Sequence, residues 1–118
     1  MKNFKELRVW QNGMEITKLC YKFTAAFPQH EKFGLVSQIN RAAVSIPANV
    51  AEGSSRKSQK DYFRFLEIAL GSAFELESLL LVAIAINYVT EVETKELLDL
   101  ISSEQKMLMS FMEVLKID

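Results

Sequence analysis

A chain of 118 residues, 49% apolar and 25% charged, has globular rather than disordered composition, and its length fits one domain, 1–118, around one core. Four glycines and two prolines are too little punctuation for a sandwich or barrel of many short strands, and a single cysteine excludes an intramolecular disulfide. The net charge of −1 conceals a split: residues 1–64 carry 11 Lys and Arg against 5 Asp and Glu, and residues 65–118 carry 3 against 10.

Such a split marks either a nucleic-acid surface or complementarity between helices or subunits. Met1-Lys2-Asn3-Phe4-Lys5 lacks the apolar core of a signal peptide. The strongest apolar run, 79–86, is about eight residues, against about 20 for a membrane span, so a cytoplasmic protein with no membrane association is expected.

The first helix is predicted over about 5–26. Leu7, Trp10, Met14, Thr17, Tyr21 and Thr24 recur every three or four residues, and Ile16, Leu19, Cys20 and Phe23 widen that face. Cys20 among apolar neighbours reads as a small buried hydrophobe. Gly13 lets a neighbouring element approach, and Phe27-Pro28 ends the helix. Residues 29–33 form a short connection and Gly34 a turn.

The second helix, about 35–52, carries the stripe Leu35, Ile39, Ala42, Ala43, Ile46 and Val50, with Gly53 as its C′ residue. Pro47 inside it removes a backbone donor and should kink the helix near Ala43. A polar turn, 54–57, leads to Ser58 as N-cap of a third helix over about 59–87. Thr90-Glu91-Val92-Glu93 is a capping box that starts a fourth helix, running to about residue 115. Short connections between four helices predict an antiparallel, up-down-up-down four-helix bundle, all-α in class.

The chemistry of a catalytic site is missing. The one histidine, His30, sits in a polar loop, and no paired ligand motif or phosphate loop occurs, so no enzyme, metal or cofactor is expected. The second helix instead carries a polar line, Gln38, Arg41, Ser45, Asn49 and Glu52, within an arc of ~80°. A matching line on the third runs through Lys60, Arg64, Glu67, Gly71, Glu75 and Ser78. Facing lines would pair Arg41 with Glu67 or Glu75, either as a seam that fixes register and association or as a groove that recognises a ligand. A small-ligand site centred on Arg41, Glu75 and Glu77 is a further reading of the same residues.

The third helix is apolar over more than half its circumference. One face carries Phe63, Leu66, Leu70, Ala73, Phe74, Leu80, Leu81 and Ile84. The other carries Tyr62, Phe65, Ala69, Leu76, Leu79, Ala83 and Ile86, and is assigned to an oligomer interface with another copy of the chain. Glu77 lies amid the first face and needs a basic or donor partner. Cations for nucleic acid are Lys2, Lys5 and Arg8 at the N-terminus, Lys18 and Lys22 on the first helix, and Arg56, Lys57, Lys60 and Arg64 around the second turn. The last four stand at a helix N-terminus, where backbone amides also attract phosphate, and a ring of copies would multiply them.

Several segments together carry a resemblance. They are Phe4-Lys5-Glu6-Leu7-Arg8-Val9-Trp10, Phe27-Pro28 with Glu31 and Phe33-Gly34-Leu35, and Gln38-Ile39-Asn40-Arg41-Ala42. Ser45-Ile46-Pro47-Ala48-Asn49-Val50-Ala51-Glu52-Gly53, Phe65-Leu66, Ala69, Gly71-Ser72 and Glu75-Leu76-Glu77 extend it over nearly the whole chain. The sequence resembles the bacterial "four helix bundle protein" family, also called ribosomal-RNA intervening-sequence proteins, and is similar to the accessory variability proteins of diversity-generating retroelements. The resemblance implies an antiparallel four-helix bundle assembled as a ring-shaped homopentamer with a basic outer or pore surface. For the retroelement relatives it implies binding to nucleic acid and to a reverse transcriptase. A sequence pI near 5.9 departs from a strongly basic accessory protein.

Two functions follow. The first is a non-enzymatic homo-oligomer that binds RNA or a ribonucleoprotein, with Arg56, Lys57, Lys60 and Arg64 on phosphate. The second is a protein–protein adaptor that uses the apolar third helix and acidic fourth helix without nucleic acid.

Overall fold

The computed structural model describes residues 3–116, which form four α-helices and no strand. These are α1 (Arg8–Thr24), α2 (Leu35–Ser54), α3 (Gln59–Ala85) and α4 (Glu91–Leu115). Two short 3-10 turns, Phe4–Glu6 and Gln29–Glu31, precede α1 and α2.

Local chemistry sets most of the ends. Asn3 caps the first turn by accepting from the Lys5 amide, and Leu7 is extended, so α1 begins at Arg8 rather than near residue 5. Phe4 packs edge-on against Trp10 across that break, with ring centroids 5.4 Å apart. Ser58 caps α3 by accepting from the Asp61 amide at 3.1 Å. Thr90 and Glu93 form the full reciprocal box at α4, at 3.1 and 2.8 Å. Asn87, at φ 67°, supplies the left-handed residue that closes α3. Its amide reaches the Ile84 carbonyl, and the Tyr88 amide reaches that of Ala83.

Gly53 corrects an expectation. It is helical rather than a left-handed cap, and α2 runs on through Ser54. A Cβ at Gly53 would lie 2.9 Å from both Phe65 Cβ and Tyr62 Cδ1, so the residue is glycine because α3 crosses it there.

The α2 helix continues unbroken through Pro47. A proline at 47 leaves the Ala43 carbonyl without its helical donor. The Thr17 hydroxyl of α1 takes that carbonyl at 3.1 Å, sharing its proton with the Gly13 carbonyl at 2.9 Å. Gly13 lies beside it, where an added Cβ would stand 3.3 Å from Ile46 Cγ2 and Pro47 Cδ. The gap left by one helix is thus filled by the next.

Each helix packs on its neighbours in sequence, and α1 closes on α4. Between α1 and α2, and between α2 and α3, residue numbers rise along one helix as they fall along the other. Gly13 meets Pro47 and Thr24 meets Asn40; Gly53 meets Tyr62 and Ser45 meets Ser72. The core falls into two apolar clusters. One holds Ile16, Cys20, Ile39, Ile46, Leu76, Leu80, Leu97 and Ile101. The other holds Val9, Val50, Leu66, Ala69, Leu108 and Leu115. Cys20 is fully buried, and burial pushes its thiol up to about 12.

By length and hydropathy alone α3 could cross a membrane, with an 18-residue window at mean hydropathy 1.8. Packing against α2 and α4 leaves 33% of that window buried. Thr17→Val keeps the shape of the side chain but deprives the Ala43 carbonyl of its donor. Chemical denaturation should show a loss of about 1–3 kcal/mol, with Thr17→Ser close to the parent. An unchanged midpoint in the valine variant would refute the bridge.

Candidate functional site

The boundary between the two apolar clusters is polar on every helix. On α2, Ser45 and Asn49 turn inward. The Asn49 amide donates to the Ser45 carbonyl at 2.8 Å and to Ser45 Oγ at 2.9 Å, and Ser45 Oγ meets Ser72 Oγ of α3 at 2.8 Å. Glu77 of α3 accepts from Gln105 Nε2 of α4 at 2.8 Å, the donor partner its surroundings required. Asn12 of α1 donates from Nδ2 to the Leu100 carbonyl and to Glu104 Oε1 of α4, each at 3.0 Å.

Glu104 is the residue that sequence reasoning missed. It has no exposed surface, and its Oε2 has no hydrogen-bond partner among the described residues. Burial raises its carboxyl to about 7, against a smaller lowering by the Asn12 bond. The carboxyl is therefore neutral in mildly acidic solution and titrates around neutral pH. The available signal was its helical register: Leu97, Ile101, Glu104 and Leu108 follow one stripe.

The line drawn along α2 and α3 divides in the structure. Ser45 and Asn49 enter the interior, whereas Gln38, Arg41, Glu52, Glu67 and Glu75 are exposed. Arg41 forms no ion pair among the described residues, and Glu52 pairs with Arg56 of the following turn at 2.7 Å. The expected Arg41–Glu67 or Arg41–Glu75 pairing is therefore absent. The inward partner of α2 is Ser72, outside the polar line expected on α3. A ligand site built on Arg41, Glu75 and Glu77 is likewise not assembled, since Glu77 turns to α4.

Three of the six residues assigned to an oligomer interface turn inward instead. Ala69, Leu76 and Ala83 are fully buried in the chain's own core. Tyr62, Phe65 and Leu79 are half-buried, with Tyr62 packed edge-on against Phe111 at 5.3 Å. Periodicity found two apolar faces but not which one turns inward. The large apolar residues that α3 leaves exposed are Ile68, Phe74, Leu81 and Val82, with Ile86 just beyond its end.

The cations stand on the surface. Arg56, Lys57, Lys60 and Arg64 are all exposed. Arg56 lies 4.6 Å from the Phe65 ring centroid, and the other three form no ion pair among the described residues. Lys5, Arg8, Lys18 and Lys22 are exposed too, with Lys18 bound to Glu15 at 3.3 Å. Lys2 lies outside the described residues.

The buried acid makes stability depend on pH. Unfolded, Glu104 loses its proton near 4.5; folded, it holds it to about 7. The fold binds the extra proton, so this contribution is full below about pH 4.5 and is lost as pH rises to about 7. At about 1.4 kcal/mol per unit the loss approaches roughly 3 kcal/mol. Glu104→Gln, which mimics the neutral acid, should flatten that fall in denaturation between about pH 5 and about pH 8. Parallel pH profiles for the two proteins would contradict the assignment.

Comparison with known proteins places this geometry. The sequence pattern of the 23S rRNA-intervening sequence protein family matches residues 5–110. The fold is similar to the crystal structure of a protein of unknown function from the S23 ribosomal protein family of Bacteroides thetaiotaomicron. That similarity has a TM-score of 0.82 and 26% identity, over 89% of this chain and 95% of the other. No curated protein is a significant match. An all-α, four-helix chain that carries the family's pattern over nearly its whole length belongs to the 23S rRNA-intervening sequence protein family.

Proposed function

We propose that the chain is a non-enzymatic, cytoplasmic accessory protein, an up-down-up-down four-helix bundle that assembles as a ring-like homo-oligomer and binds RNA. The observation that carries the reading is the cluster at the start of α3. Lys57, Lys60 and Arg64 are exposed there with no ion pair among the described residues, beside Arg56 and the N-terminal amides of a capped helix. Cations of this kind bind phosphate and release counterions. The family's name, which ties its members to sequences inserted in 23S rRNA, supports RNA as the polyanion.

Self-association is supported by the outward side of α3. Ile68, Phe74, Leu81 and Val82 are between 45 and 50% exposed on one helix, a concentration that a partner surface would cover. A second copy is the simplest partner, and the family resemblance favours five. Repetition of a modest cluster around a ring raises its effective affinity without a strongly basic sequence.

Charge reversal tests the RNA assignment. Lys57→Glu with Lys60→Glu should weaken RNA retention sharply. The slope of log affinity against log salt should fall by roughly 1.5, as for two lost phosphate contacts. Unchanged binding would remove these residues from the interface. A wild-type protein indifferent to RNA at low salt would leave the protein–protein adaptor as the better reading.

A further inference from the structure

The bundle carries a second surface suited to polynucleotide, at the far end of α2 from the basic cluster. A groove of about 580 Å³ runs between the outer sides of α1 and α2 and the connection that joins them. Tyr21, Lys32, Phe33, Asn40, Arg41 and Val44 line it, and no carboxylate does. Phe33 is 89% exposed and Tyr21 51%, so neither ring is used by the core. The Lys32 ammonium stands 5.4 Å from the Phe33 ring centroid, and Arg41 forms no ion pair among the described residues.

The segment that presents Phe33 is held on both sides. Glu31 accepts the Leu35 amide at 3.1 Å and the Tyr88 hydroxyl at 2.8 Å, which anchors the connection to α2 and to the end of α3. Gly34 leaves room for that carboxylate, since a Cβ there would stand 2.7 Å from Glu31 Oε1. The aromatic ring is thus displayed on a fixed turn.

Other grooves lack this combination. One between α1 and α4 includes Glu15, and one along α4 includes Glu96 and Asp99. A third, near Arg8 and Lys106, and a fourth, with Lys60 and Lys116, are cationic, but each has a single ring that is half-buried, Phe111 in one and Phe63 in the other.

Exposed rings flanked by unpaired cations are the chemistry that holds unpaired nucleotides: bases stack on the rings while phosphates meet the charges. We infer that the α1–α2 groove binds a single-stranded segment of RNA, with bases on Phe33 and Tyr21 and phosphates on Lys32 and Arg41. This rests on the RNA-binding reading above and names a separate surface for it. Duplex RNA, whose bases are stacked internally, has no use for these rings.

The test is anisotropy titration of labelled oligouridine and of a hairpin duplex RNA against the full chain, with mass by light scattering alongside. Phe33→Ala with Tyr21→Ala changes exposed side chains and should leave fold and mass intact. Oligouridine affinity should fall about tenfold or more while duplex affinity holds. Arg41→Ala should lower the salt slope for oligouridine by about 0.7. Unchanged oligouridine binding in the double variant would overturn the groove, and if Lys57→Glu with Lys60→Glu still abolishes binding, the RNA reading survives it. An equal loss on duplex RNA would overturn the stacking role. A fall in mass would show that another copy covers the groove, and would also overturn the proposal. Absence of wild-type binding to either RNA would sink both readings.

Discussion

Pro47 sets the terms for the rest of the molecule. It removes a backbone donor from the middle of α2, and the neighbouring helix answers it with two residues. Gly13 lets α1 approach until a Cβ would be crowded, and the Thr17 hydroxyl takes the carbonyl that proline left open. The contact fixes α1 against α2 in both distance and level. Asn12, adjacent to Gly13, then reaches Glu104 of α4, and Ser45, two residues before Pro47, reaches Ser72 of α3. One crossing therefore sets the level at which all four helices present polar groups.

That level divides the core in two, with consequences for specificity. Sliding one helix past another by a turn would press Ser72, Asn49 or Glu104 against leucine and isoleucine, which is costly for groups of that kind. The polar layer thus excludes wrong registers that an all-apolar interior would tolerate. Glu104 pushes this furthest, because burial disfavours its charged form. The surfaces proposed for function are the cationic turn, the outward side of α3 and the α1–α2 groove.

Much of this was legible in the residues. The capping residues Ser58 and Thr90 located two helix starts, because a side-chain acceptor at a fixed offset from a backbone donor is a local rule. Family membership was legible in the segment from Ser45 to Gly53. Gly53 misled, since a glycine near a helix end serves equally as a left-handed cap and as space for a crossing helix. The seam misled for a related reason. Periodicity puts Arg41 and Ser45 on one side of α2 but does not say where burial stops between them. Which apolar face of α3 turns inward is a question about its neighbours, and so Ala69, Leu76 and Ala83 were assigned to the wrong surface. Glu104 went unseen because charged residues in an acidic helix are ordinarily solvated.

The central claim is the proposal that the chain works through its surface, as an assembly that binds RNA. The mass of the purified protein by light scattering, at low and high salt and with and without added RNA, tests it most directly. The account predicts a salt-resistant mass that is a multiple of 13.5 kDa, near five chains if the family resemblance holds, and that rises with RNA only at low salt. A monomer of 13.5 kDa, unchanged by RNA, would contradict it and leave the exposed apolar side of α3 without an occupant.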